Sequence, residues 1–202
     1  MEYPQTGQDR LLAFINISHL TNAPHFSPLD MNPLDTPLGF STNFLFVPGT
    51  RPERFIKALD SGASGVVLDL EDAVAEEDKT TARNAIRDAW PSFTPEQKKR
   101  LIIRTNSPGS KFYAADLILA QELQVACLLI PKSESHDQIN GAALILPDTA
   151  IIPMIETAIG LDHLKEIANS NQVIRLALGN LDLQADLGMV CDRQETELQT
   201  AR

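Results

Sequence analysis

The chain has 202 residues, 43% of them hydrophobic and 22% charged, which suits a globular domain able to fill one core. Its formal net charge of −10 opposes nucleic acid as a partner, because phosphate contacts need a basic surface. No apolar run reaches the roughly 20 residues that cross a bilayer.

The chain opens with residues 1–42, read as an N-terminal arm. Leu11 to Ile17 is apolar but lacks the basic start and small-residue cleavage site of a signal peptide. Pro24, Pro28, Pro33 and Pro37 spell an extended, irregular path. The pattern changes at Asn43. Residues 44–47 read as a strand, closed by Pro48 and Gly49. Thr50 and Glu53 flank Pro52 in the spacing of a capping box for a first helix, whose apolar face would hold Phe55, Ile56 and Leu59. Gly62 and Gly65 release the chain into residues 66–70, an almost unbroken apolar run of the kind buried on both faces of a parallel sheet. The first unit is therefore βαβ.

Further strands are expected at 101–105, 127–131, 151–155 and 174–178. Helices fill the intervals. Residues 78–90 carry Ala82, Ala85, Ile86 and Ala89 at helical spacing, and Thr94, Pro95 and Gln97 form a second capping pattern before a short basic helix. Residues 114–123, 135–143 and 158–168 supply the rest. This alternation implies an α/β fold with a mostly parallel sheet and right-handed crossovers.

Six stretches share one order: FVPGTRPERF, LDLEDAV, IIRTN at 102–106, LIPKSES at 129–135, IIPMIETAIGL at 151–161 and LALGNLDLQADLG at 176–188. Together they resemble the HpcH/HpaI aldolase and citrate lyase beta-subunit family, whose members cleave carbon–carbon bonds in hydroxy acids or hydroxyacyl-CoA thioesters. The resemblance implies a TIM (β/α)8-type barrel over residues 43–202, with carboxylates at the C-terminal strand ends. Such a barrel needs eight strands and typically about 250 residues. Only six βα units are visible, so the expectation is an incomplete barrel, truncated after its sixth strand. Its open edges and uncovered apolar interior would favour association with another chain. The family's general base and much of its CoA surface would then lie outside this sequence.

Glu156 and Asp182 each follow an apolar strand, so both should face the C-terminal mouth where this fold builds active sites. Two carboxylates without Cys or His nearby make a hard oxygen site suited to Mg²⁺, with Mn²⁺ as the alternative. The family places its metal on matching residues. Read locally instead, Glu156 would cap the next helix and Asp182 would be a turn residue. Arg104 ends the strand at 101–105, where a guanidinium can grip a substrate carboxylate or a developing enolate. Asp69, Glu71 and Asp72 crowd the end of the second strand and need a nearby cation; an ion pair with Arg104 is the alternative to a substrate role. Glu71 and Asp72 would then orient Arg104 and metal-bound water. Lys132 is expected to pair with Glu134 or Glu156 rather than form a Schiff base.

Arg51, Arg54 and Lys57 on the first helix could meet a polyanionic CoA, with Arg54 as a substrate contact; a solvated helix face is the plain alternative. His19 and His25 fall in the arm, and His136 and His163 fall on helices where surface or capping roles are usual. The family branch with a histidine base near strand two has no counterpart in LDLEDA. Cys127 reads as packed core and Cys191 as incidental, in keeping with a reducing, cytoplasmic setting.

These readings converge on a Mg²⁺-dependent carbon–carbon lyase resembling the citrate lyase beta subunit. It would cleave a citryl-, malyl- or citramalyl-CoA type thioester to an acyl-CoA and a 2-oxo acid, as a homo-oligomer. The alternatives are a non-catalytic fragment or assembly subunit that keeps the metal pocket, and a pyruvate-type aldolase acting on free hydroxy acids.

Overall fold

The computed structural model describes residues 13–15, 38, 41 and 43–189. Within them the strands are β1 (Ala13–Ile15), β2 (Phe44–Pro48), β3 (Gly65–Asp69), β4 (Leu101–Arg104), β5 (Cys127–Ile130), β6 (Ala150–Ile155) and β7 (Leu176–Leu178). The helices are α1 (Phe55–Leu59), α2 (Lys79–Ala89), α3 (Pro95–Lys98), α4 (Tyr113–Leu123), α5 (His136–Ile145), α6 (Ala158–Asp162), α7 (Leu164–Ala168) and α8 (Asn180–Asp186). None of these is long and apolar enough to cross a membrane. The strands form one sheet in the order β1-β7-β6-β5-β4-β3-β2. β2 to β7 run parallel in chain order, whereas β1 lies antiparallel to β7.

Period-two alternation divides the strand side chains between two cores. Val66, Leu68, Leu101, Ile103, Leu128, Ile130, Ile151 and Ile155 share a cluster with Phe55, Ile86, Leu119, Ile139 and Ile167 of the surrounding helices. Val67, Ile102, Cys127, Leu129, Ile152, Met154 and Ala177 form the other, on the inner face. The sheet is strongly curled. Five steps of about 4.8 Å would set the strands at its two parallel ends roughly 24 Å apart if it were flat. Instead the Arg175 guanidinium, next to β7, lies 5.6 Å from the centre of the Phe44 ring on β2. Six parallel strands thus make an open, curled half-barrel.

Pro153 sits inside β6, although proline cannot donate to a ladder. The β6–β7 ladder accommodates it: pairing at Ile151–Val173 resumes at Met154–Ala177 after a slip of one residue.

Several expectations need correction. The Thr50–Glu53 capping box does not form, because the chain turns tightly, with the Arg51 amide donating to the Pro48 carbonyl at 2.9 Å. A 3-10 turn at Pro52–Arg54 follows, and α1 begins only at Phe55, beyond the reach of Thr50. Arg51 and Arg54 accordingly precede the first helix rather than ride on it. Ile56 is 43% exposed and points away from the core that takes Phe55 and Leu59. The helix expected over 158–168 is broken at His163 into α6 and α7. The edge expected to be open beside the sixth parallel strand is occupied, since Ala13–Ile15 pairs with β7. The inner face is not left bare either. The curl closes its side chains on one another and on Leu38, so that Val67, Ile102, Cys127, Leu129 and Ile152 are each at most 1% exposed. The proline-rich stretch, His19, His25 and Cys191 lie outside the described residues.

Candidate active site

Alternation also aims the polar residues. Asp69 lies two positions beyond Val67, Arg104 two beyond Ile102, and Glu156 two beyond Met154, so all three continue the inward row at the C-terminal strand ends. Each is 1% exposed.

Arg104 is locked from several sides. Its Nε and Nη2 donate to the two carboxylate oxygens of Asp69 at 2.7 and 2.6 Å, a bidentate fork. Nη1 lies 2.8 Å from Glu71 Oε2 and 3.7 Å from Asp72 Oδ2. The Phe46 ring covers the guanidinium at 5.3 Å. Burial opposes its charge, but the hydrogen bonds and charge of Asp69, with Glu71 and Asp72, prevail and hold it above the ordinary arginine range. Asp69 is itself oriented by the amides of Glu71 and Ala73 at 2.8 and 3.2 Å.

Glu71 links this pair to the neighbouring strand end, accepting from Lys132 Nζ at 3.0 Å. Burial pushes its carboxyl up, against the pull of Arg104 and Lys132. Lys132 stands in the left-handed region at φ 47, costly for a residue with a Cβ. That conformation is coupled to a contact, because the Lys132 amide donates to Glu156 Oε1 at 2.8 Å. Its ammonium lies 3.9 Å from the same oxygen.

The other oxygen of Glu156 differs. Oε2 is buried and has no hydrogen-bond partner. An orphaned carboxylate oxygen is expensive unless something occupies the space before it. Glu156 lines a small cavity of about 50 Å³ together with Arg104, Met154, Gly179, Asn180, Leu181 and Asp182. Burial, Glu71 and Asp182 push the Glu156 carboxyl up to about 8, with Lys132 opposing. Gly179 is required here, since a Cβ on it would stand 2.5 Å from Glu156 Oε2. Gly160 is likewise confined: a Cβ there would meet the Ser133 carbonyl at 2.5 Å, in the loop that carries Lys132.

The donor set fits a magnesium ion: two hard carboxylates line one cavity, one of them with an oxygen that nothing satisfies. Among the described residues no group of three or more Asp, Glu, His or Cys is placed to hold a metal, so water and substrate oxygens would complete the shell.

Sequence reasoning placed Arg104, Glu156, Asp182, Asp69, Glu71 and Lys132 at one end of the sheet, and the structure brings them together there. Asp72 sits at the margin, its side chain 35% exposed. Asp182 does not follow its strand directly; it stands in the first turn of α8, behind Gly179 and Asn180. Glu156 does not cap the helix after it, because Thr157 does so through the Gly160 amide at 3.1 Å. Lys132 takes Glu71 as its nearest partner instead of Glu134, whose amide turns to Gln138 Oε1. Arg54 is not brought to the cavity: its side chain is 60% exposed and lies 3.8 Å from Glu53. Sequence reasoning missed Gly179, which a glycine directly behind a buried strand could have signalled. It also missed Lys79, whose ammonium is buried, and Asp116, which holds Asn106 and Arg83 beneath the loop after β4. No local pattern marks these two.

The chain as a whole is similar to known proteins. A citrate lyase subunit beta-like protein of Mycobacterium tuberculosis is 39% identical over 145 residues, covering 72% of this chain and 50% of its own length. A (3S)-malyl-CoA thioesterase of Cereibacter sphaeroides is 31% identical over 144 residues, covering 71% of this chain and 50% of that protein. Among solved structures, the CitE protein of M. tuberculosis in complex with magnesium, acetoacetate and coenzyme A superposes with a TM-score of 0.66 at 36% identity, over 77% of this chain and 55% of that one. The chain thus spans about half the length of the curated relatives it matches. Residues 43–202 match the HpcH/HpaI aldolase/citrate lyase family, and the chain belongs to that family.

Proposed function

We propose that the chain carries the metal-binding and oxo-acid-binding part of a carbon–carbon lyase site that cleaves hydroxyacyl-CoA thioesters of the citryl-, malyl- or citramalyl-CoA type into an acyl-CoA and a 2-oxo acid. The observation that carries this reading is the orphaned Oε2 of Glu156, a residue that lines one cavity together with Arg104 and Asp182. Glu156 and Asp182 would hold Mg²⁺, or Mn²⁺ in its place. When bound, the ion supplies Lewis-acid polarisation of the substrate's carbonyl and carboxylate oxygens.

The remaining work falls to the chain's own groups. Arg104 keeps its fork on Asp69 and its Nη1 beside Glu71, and as a residue of the cavity wall it would meet a substrate carboxylate or the negative charge left by the broken bond in a dry, low-dielectric setting. Glu71 holds Arg104 and Lys132 apart at fixed distances. The Lys132 amide fixes one Glu156 oxygen and leaves the other, beside Gly179, without a partner. Magnesium in the CitE complex, together with acetoacetate and coenzyme A, supports this assignment by similarity.

The likeness to a (3S)-malyl-CoA thioesterase favours hydrolysis of the thioester as a second reading. One assay separates the two. Incubated with magnesium and citryl-, malyl- or citramalyl-CoA, a lyase releases an acyl-CoA and a 2-oxo acid, whereas a thioesterase releases free coenzyme A and the intact hydroxy acid. Free coenzyme A and the hydroxy acid, with no 2-oxo acid formed, would overturn the lyase reading.

A further inference from the structure

Lys79, the first residue of α2, contributes nothing to the cavity lining, yet it is only 7% exposed. A lysine is seldom buried unless its ammonium is partnered. Here Nζ donates to two backbone carbonyls, Leu70 at 2.7 Å and Glu71 at 2.7 Å. Both belong to the turn that follows β3. The amides of this same turn, Glu71 and Ala73, orient Asp69, and its Glu71 side chain reaches Arg104 and Lys132. The ion pairs of the Arg104 side chain therefore all go to Asp69 or to the Glu71–Asp72 turn, whose backbone is held by the Lys79 ammonium together with the Val74 amide on the Glu71 carbonyl at 3.0 Å. Lys79 also places a positive charge behind Asp69, Glu71 and Asp72, whose carboxylates would otherwise meet with only Arg104 and Lys132 to offset them.

We propose that Lys79 is a positioning residue for the active site, acting from outside the cavity by pinning the Leu70–Glu71 backbone so that Asp69 and Glu71 hold Arg104 and Lys132 in register. The proposal rests on the lyase reading for its consequence in binding, but not for its structural content.

The test uses the full chain and Lys79→Met, which keeps the length and removes charge and donors, alongside Lys79→Arg, which keeps both. Amide hydrogen exchange is measured at Glu71 and Ala73, with the amides of β5 as internal reference. The account expects exchange at Glu71 and Ala73 to quicken at least tenfold in Lys79→Met while β5 is unchanged, and to be largely restored in Lys79→Arg. Oxaloacetate affinity in the presence of magnesium should fall about tenfold in parallel. Unchanged exchange at Glu71 and Ala73, or an equal increase throughout the chain, would overturn the proposal. If wild-type chain binds no oxaloacetate, the lyase reading fails while the exchange result still decides the role of Lys79. Should Lys79→Met not fold, the wild-type Lys79 ammonium decides: pinned between two carbonyls it should exchange its protons slowly enough for a resolved nitrogen-15 resonance at neutral pH, and a rapidly exchanging ammonium would overturn the proposal.

Discussion

Glu156 is an acid held where its ionised form is costly. Burial, Glu71 and Asp182 push its carboxyl up to about 8, from an ordinary value of 4.5. Between those values the folded chain binds more protons than the unfolded chain, so the contribution of this group to stability falls as pH rises through that window. A bound cation needs the carboxylate. Magnesium affinity should therefore climb about tenfold per unit from pH 6 toward pH 8 and then level off, which calorimetry at three pH values would show; a flat profile would contradict the assignment. Gly179 is the steric counterpart of this electrostatic constraint. Gly179→Ala would push a methyl against Glu156 Oε2 and should weaken magnesium binding at least tenfold while costing about 1–3 kcal/mol in stability, measurable by denaturant unfolding. Arg104 and Glu156 were legible in sequence because a charge at the end of an apolar strand stands out and alternation fixes its side. Lys79 was not legible: among Glu76, Glu77 and Asp78 it reads as an ordinary charged helix start, and only the fold brings Leu70 and Glu71 over it.

At the scale of elements, the capping box at Thr94 was legible in sequence, whereas the caps at Ser135 and Thr157 were not singled out. Thr94 accepts from the Gln97 amide, and Ser135 from the Gln138 amide, each with the reciprocal side-chain bond. The Thr50 pattern has the same letters but fails, because a 3-10 turn separates it from α1. α8 is the element whose placement matters most to the cavity, since it carries Asp182. One of its residues, Asp186, accepts from the Ala158 amide at 2.7 Å and so ties α8 to the segment directly after Glu156. Asp186→Ala should lower magnesium affinity several-fold without touching either carboxylate. Thr94→Ala, in a cap on α3, should instead cost about 1 kcal/mol in stability and leave magnesium affinity unchanged. Equal effects of the two variants on binding would show that α8 is not specially placed.

At the scale of the whole molecule, the apolar runs made the six strands legible, because each run is too long for a turn and too short for a helix, and the helices between them implied parallel pairing; their barrel order was implied by the family resemblance. The pairing of Ala13–Ile15 with β7 was not legible, since a three-residue strand in a proline-rich arm carries no periodic signal. Among the described residues β2 is paired on one side only, and Leu45 on that strand is 40% exposed. An open edge of this kind promotes pairing between chains. Light scattering should find a mass above 22.2 kDa at micromolar concentration, and a strict monomer would show that the edge is covered. The claim that Glu156 and Asp182 hold a metal that in turn holds a 2-oxo acid is tested most directly by calorimetric titration of the chain with oxaloacetate, with and without magnesium, in the wild type and in Glu156→Gln and Asp182→Asn. The account predicts saturable binding that requires magnesium and is lost in both variants; binding that is independent of magnesium, or that persists in both, would contradict it.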